Sequence, residues 1–232
     1  MIIGIIPAKS ISKRIANKNF ITFNGKPMIA WSIEAAIKSK MFEKVLVSTD
    51  DNKIADISRE YSAEVPFLRT EAFDDFSSSS AATYAALCQA EKYWNEKYET
   101  VAQLMANCPL RTEDDIRKSI LAFDDSEAPA QLSCTSFGWM NPLWAVKLDE
   151  HGIPTQLFPD ENKLRSQDLP DLYCPTGALW LAKRNDFIIS KNFYLSGHRF
   201  YPMDWISALD IDDEDDLLMA KACLAIRNFK KK

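Results

Sequence analysis

Histidine is nearly missing from this chain: His151 and His198 are the only two in 232 residues, and both sit in polar, loop-like sequence. An ordinary surface histidine is the simplest reading of each. No G-x-S-x-G motif occurs either, so a serine or cysteine nucleophile with a histidine base is not the expected chemistry. The five cysteines (Cys88, Cys108, Cys134, Cys174, Cys223) are odd in number and widely spaced, with no C-x-x-C pair. That pattern fits reduced thiols in a cytoplasmic protein rather than a disulfide framework or a zinc site. The apolar run Ile2–Ile6 has no basic stretch before it and no small-residue cleavage site after it. It reads as a buried strand, not as a secretion signal or a membrane span. A net charge of −5 and a pI near 5.2 argue against a dedicated nucleic-acid binder. No internal repeat or low-complexity linker is visible, and residues 1–232 are expected to form a single domain.

One further absence is local. The first 33 residues contain no carboxylate but five basic side chains, Lys9, Lys13, Arg14, Lys18 and Lys26; the other 23 basic groups face all 33 acids in the rest of the chain. The apolar run stops at Pro7 and releases the loop 8–19, rich in cations and hydroxyls. A buried strand that delivers such a loop is a common way for an α/β protein to hold phosphate.

Beyond this loop the chain alternates between two periodicities. Pro27 suits the first turn of a helix to about Lys38, with Ile29, Ile33, Ala36 and Ile37 on one face. Strands are expected at Lys44–Ser48, Glu64–Leu68 (edge-like, because of Pro66), Thr100–Met105, Ala130–Phe137, Gly177–Ala182 and Ser207–Ile211. Thr49–Asp51 can cap a helix through Tyr61, and the four serines 77–80 lead into a helix through Asn95. Thr112 with Asp115 resembles a capping box for a helix to Phe123, and a last helix runs from Asp213 to about Arg227. The fold class expected is α/β, a mainly parallel sheet with helices on both faces. Between Trp139 and Leu172 the alternation lapses into a proline-rich, aromatic excursion, read as covering the site.

Ligands of such sheets bind beyond the carboxyl ends of the strands, which selects the loops 8–19, 69–80, 106–112 and 210–216. Lys9 and Lys18 can each take a phosphate oxygen as a point charge, with neutral hydrogen bonds from Ser10, Ser12 and Asn19. Arg69 and Arg111 each follow an apolar segment and could reach an anion. Seven acids and no base lie between Asp204 and Asp216. Asp210 and Asp212, two apart at the end of a strand-like run, would share a face and suit Mg²⁺, while Asp213–Asp216 suit the first turn of a helix. Together these features suggest transfer at a nucleotide phosphate.

The segments 5–19 (IIPAKSISKRIANKN), 25–29 (GKPMI), 47–50 (VSTD), 64–69 (EVPFLR), 109–111 (PLR), 177–178 (GA) and 209–212 (LDID) occur in that order. In this order and spacing the chain resembles the acylneuraminate cytidylyltransferases, the CMP-sialic acid synthetases and their pseudaminic and legionaminic acid relatives. The resemblance implies a nucleotide-diphospho-sugar transferase (Rossmann-like) fold, CTP as donor, Mg²⁺ as cofactor and a homodimer. It also implies attack by the anomeric hydroxyl of a nine-carbon sugar acid on the α-phosphate, with release of pyrophosphate. By motif position Lys9, Lys18 and Asn19 would face the triphosphate, and Ser10, Ser12 and Lys13 would share their loop. Arg69, Ser78 and Ser79 would face the nucleotide, and Asp210 and Asp212 the metal. Arg165, Tyr173, Thr176 and Gly177 would face the sugar acid. The family usually carries arginine at Lys9, Gly-Gly at Ser10–Ile11, and at Met105 the glutamine that reads the nucleotide. Two other readings stay open: a nucleotidylyltransferase for another sugar acid, such as the eight-carbon acid of lipopolysaccharide, and a non-catalytic nucleotide- or sugar-binding homologue.

Overall fold

In the computed structural model, the residues described are 1–9, 18–72, 77–138 and 140–230. The first strand, β1 (Ile2–Ala8), places Ile3, Ile5 and Ile6 in full burial, as a central strand of a parallel sheet requires. It does not stop at Pro7. Pairing with β2 (Lys44–Thr49) continues to Ala8, whereas pairing with β3 (Thr100–Gln103) ends at Ile5. Pro7 therefore lies past the β3 ladder, where its missing N–H breaks no bond on that side. The remaining strands are β4 (Ala130–Ser136), β5 (Tyr173–Lys183) and β6 (Arg199–Pro202), and the sheet order is β6-β4-β5-β3-β1-β2. Only β5 runs antiparallel to its neighbours.

Helices cover both faces. On one side Ile29 and Ile33 of α1 (Met28–Ser39), Ile54 of α2 (Asn52–Glu60) and Ile116, Ile120 and Phe123 of α4 (Glu113–Asp124) meet Ile6, Val47 and Leu181. On the other, Ala86, Leu87 and Ala90 of α3 (Ser79–Trp94) and Phe187 of α5 (Arg184–Ser190) meet Ile3, Ile5 and Leu46. Ile37, in the last turn of α1, is 38% exposed and leaves the expected face. The caps follow local chemistry: Asp51 accepts from the Ile54 amide, and Thr112 and Asp115 form the reciprocal capping box.

Two expected strands are absent. Residues 64–68 make a single parallel bridge, Glu64 to Leu46, because Pro66 has no amide to extend a ladder. Residues 207–211 are not a strand either: Asp204 caps a short helix, α6 (Trp205–Ala208), and the chain then runs without ladder pairing to α7 (Glu214–Lys230). The excursion is held by local contacts, a two-stranded hairpin (Val146–Leu148 with Pro154–Gln156) and 3-10 turns. Met140, Leu148, Ile153, Leu157 and Leu164 are exposed on it. Among the described residues no helix is long and apolar enough to cross a membrane.

Candidate functional site

The carboxyl ends of β1 and β3 open onto two cavities that share Pro7, Lys9 and Met105. The first, about 130 Å³, adds Lys18, Asn19 and Asn107. Lys18 opens a 3-10 turn, and its Nζ donates to Asp212 Oδ1 at 2.8 Å, joining the cationic loop to the acidic edge across 194 residues. Asn107 Nδ2 donates to the same Oδ1 and to the Ile211 carbonyl, both at 3.2 Å, while its own carbonyl accepts from the Ile211 amide at 2.9 Å. The loop after β3 and the segment before α7 are thus stitched together directly behind Asp212. Asn19 Nδ2 donates to the Lys9 carbonyl at 3.1 Å and closes the base of the basic loop. Ser10, Ser12 and Lys13 lie outside the described residues.

The acid run divides by role. Asp216 Oδ2 accepts from the amides of Asp212 and Asp213, and Asp213 Oδ1 accepts from the Asp216 amide, so these acids cap α7. Asp210 takes no part in the cap. It is exposed at its edge, yet protein atoms crowd its carboxyl; this desolvation first, then the Asp212 charge, pushes its pKa up from the ordinary carboxylate value. Among the described residues no group of three or more His, Cys, Asp or Glu could hold a metal. Two carboxylates, one repelled by its neighbour, nevertheless fit a hard cation that completes its shell with water and phosphate oxygens. The shared face expected from a strand is replaced by a loop geometry, but the two acids still sense each other.

The second cavity, about 200 Å³, adds Arg69, Ser77, Ser78, Ser79 and Ala82. Ser78 is the N-cap of α3 and accepts from the Ala81 amide at 3.1 Å. Arg69 is buried; its Nη1 donates to the Ser48 carbonyl at 2.7 Å, and its amide donates to the Thr49 carbonyl at 2.7 Å. Burial lowers its pKa, partly offset by Asp50. A larger cavity, about 600 Å³, lies between α1, α4 and α7 and shares no residue with these two.

Behind Met105 the antiparallel strand β5 is distorted. Cys134 pairs with Pro175 but Leu132 pairs with Trp180, so Ser133 alone faces Thr176–Leu179. The Ser133 hydroxyl fills the bulge. Its Oγ lies 2.9 Å from Thr176 Oγ1 and 3.0 Å from the Thr176 carbonyl, and it accepts from the Leu179 amide at 3.1 Å. Gly177 abuts Met105; a Cβ there would stand 2.8 Å from Met105 Cγ.

Arg111 lines neither of these two cavities but borders the larger one. It is 2% exposed, and its guanidinium donates to the Ala178 carbonyl and, at 3.5 Å, to the Met105 carbonyl, holding the bulge from below. Arg165 stands apart as well: it is 73% exposed at the side chain and forks onto Asp168 three residues on. No described residue of the excursion lines either of the two cavities. Tyr173 is half exposed at the start of β5, opposite Ser136. Sequence reasoning missed Asn107, Gln103 and Ser133. For Gln103 and Ser133 the signal was there, since each is a polar residue inside an otherwise buried strand.

The family model "Cytidylyltransferase" matches residues 3–203. The pseudaminic acid cytidylyltransferase of Campylobacter jejuni (serotype O:23/36) is 32% identical over 219 residues, covering 94% of this chain and 93% of the relative. The N-acylneuraminate cytidylyltransferase of Escherichia coli O18:K1:H7 is 31% identical over 99% of this chain, which spans 54% of that longer relative. In fold, the chain is similar to a CMP:2-keto-3-deoxy-manno-octonic acid synthetase solved with CTP, with a TM-score of 0.69 and 15% identity over 97% of this chain and 99% of the other. An Anaerococcus prevotii 4-diphosphocytidyl-2C-methyl-D-erythritol synthase gives 0.66 and 14% over 97% and 98%. The family model over residues 3–203 and relatives of 31–32% identity along nearly the whole chain, in a fold whose strand ends bring Lys18 and Asp212 together, show that this chain belongs to the cytidylyltransferase family.

Proposed function

We propose that this protein transfers CMP from CTP to the anomeric hydroxyl of a nonulosonic, sialic-type nine-carbon sugar acid and releases pyrophosphate. The Lys18–Asp212 contact carries the reading, because it sets a cation and a carboxylate together at the 130 Å³ cavity. The acceptor oxygen forms a bond to the α-phosphorus, the bond from that phosphorus to the β-bridging oxygen breaks, and pyrophosphate leaves. Lys9, lining both cavities, and Lys18 supply positive charge where the leaving group gains negative charge. Asn107 fixes Asp212, and the Ser133-filled bulge presents Thr176 and Gly177 toward the acceptor side. Asp210 and Asp212 would hold Mg²⁺, which when bound neutralises phosphate charge. Self-association as a homodimer in the cytoplasm belongs to the same reading, and the exposed apolar side chains of the excursion support a second copy.

The test is pyrophosphate release with Mg²⁺, each of the four nucleoside triphosphates and a panel of sugar acids. The expected outcome is release with CTP and a nine-carbon acid together. Release with the eight-carbon acid alone would reassign the acceptor, and CTP binding without turnover across the panel would make the chain a binding homologue.

A further inference from the structure

We propose that Gln103 is a positioning residue that turns the Ser79 hydroxyl into a hydrogen-bond donor aimed at the pyrimidine of the donor nucleotide. Gln103 is the last residue of β3 and fully buried, so its amide must be satisfied within the protein. Three groups surround it. Thr83 Oγ1, buried one turn into α3, lies 2.7 Å from Oε1; Ser79 Oγ lies 3.3 Å and Met105 Sδ 3.8 Å from Nε2.

The direction of this relay is set by donor chemistry. A thioether has no proton and only accepts, so the amide must turn its NH₂ toward Met105 and its oxygen toward Thr83. The Thr83 hydroxyl then donates to Oε1, and Nε2 donates to Ser79 Oγ. With its oxygen already accepting, Ser79 keeps its own proton for another partner. Ser79 is half-buried and lines the 200 Å³ cavity. Its neighbour Ser78 is committed to the helix cap, so the two adjacent hydroxyls differ in function.

The cavity has apolar walls from Pro7, Ala82 and Met105, which suit the faces of a planar ring, and Ser79 then offers a donor to its edge. Cytosine presents a carbonyl oxygen and an unprotonated ring nitrogen as acceptors. The same amide touches Met105, so the wall and the polar contact are set by one side chain.

This inference rests on the nucleotide-transfer reading of the site. It is tested by calorimetric titration of the full chain with CTP and, separately, with inorganic triphosphate as a probe without a base. Gln103→Met removes the donor at similar volume and should weaken CTP about tenfold while leaving triphosphate within about twofold. Ser79→Ala should do the same, and the double variant should be no weaker than either single one. Equal loss of CTP and triphosphate, additive losses, or unchanged CTP binding would each overturn the assignment. Should Gln103→Met fail to fold, Ser79→Ala still decides, because unchanged CTP affinity there overturns the donor role. A wild-type chain that binds triphosphate but gains nothing from the base overturns this inference alone, whereas one that binds neither overturns the nucleotide reading with it.

Discussion

Met105 separates two cavities that solve opposite problems. On one side Lys9, Lys18 and Asn107 surround space suited to charge, and the cation Lys18 is held in place by a carboxylate. On the other, Lys9 and Arg69 also border the space, but Ser77–Ser79 meet largely apolar walls, and the placement of the Ser79 hydroxyl is set by a buried amide with no net charge. Charge acts over several ångströms and tolerates loose placement, but a single hydroxyl donor has value only when its proton points the right way. The charged side accordingly rests on loop residues. The hydroxyl-lined side is built largely on the end of a strand and the first turns of a helix.

That contrast can be broken hardest on the charged side. Asp210→Asn should lower turnover about 10³-fold, as expected when a group serving the transition state is lost, without loss of folding. An unchanged rate would remove the metal role. Lys18→Met should cost about 10²-fold in kcat/KM and make CTP affinity less sensitive to salt, because it deletes a phosphate cation and also removes the 2.8 Å contact to Asp212. Salt titration of both proteins checks it.

The wall itself gives a smaller, structural effect. Gly177→Ala places a carbon against Met105 Cγ and should destabilise by about 1–3 kcal/mol, read by denaturant unfolding; adding Met105→Ala should recover part of the loss. The smallest effect concerns pH. Asp210 holds its proton more tightly folded than unfolded, so its contribution to stability is lost as pH rises from its unfolded to its raised folded pKa. Asp210→Asn should therefore melt slightly higher than wild type near pH 7, and the gap should close as pH falls below the ordinary carboxylate range. A gap that widens in acid would contradict that direction.

Much of this architecture was legible because it depends on near neighbours. The Thr112–Asp115 box, the Asp51 cap and the alternation of buried strands with amphipathic helices are local patterns, and each is present. The Lys18–Asp212 meeting was legible only as complementary charge on two strand-end loops. Where sequence failed, long-range geometry decided. Arg69 and Arg111 come after similar apolar segments and both donate to backbone carbonyls, yet Arg69 lines the 200 Å³ cavity at the strand ends and Arg111 lines the separate one between α1, α4 and α7. Ser207–Ile211 reads as a strand by composition, but Asp204 starts a helix there, and among the described residues no strand pairs with residues 209–211. Arg165 is near Asp168 in sequence and finds it at 2.7 Å, which satisfies its charge within the excursion.

The missing side chain at Gly177 has a consequence for anyone who would retool this protein. Neighbouring positions on a strand and a loop usually look like separate targets for redesign, but here the contact between Gly177 and Met105 ties the β5 bulge to the wall of the two cavities. A bulkier residue at 105 would press on the β5 bulge, and any side chain at 177 would push back into the Met105 wall. Libraries that vary the two positions independently will consist mostly of mutually incompatible pairs; productive variants are to be sought along the diagonal where one residue grows as the other shrinks.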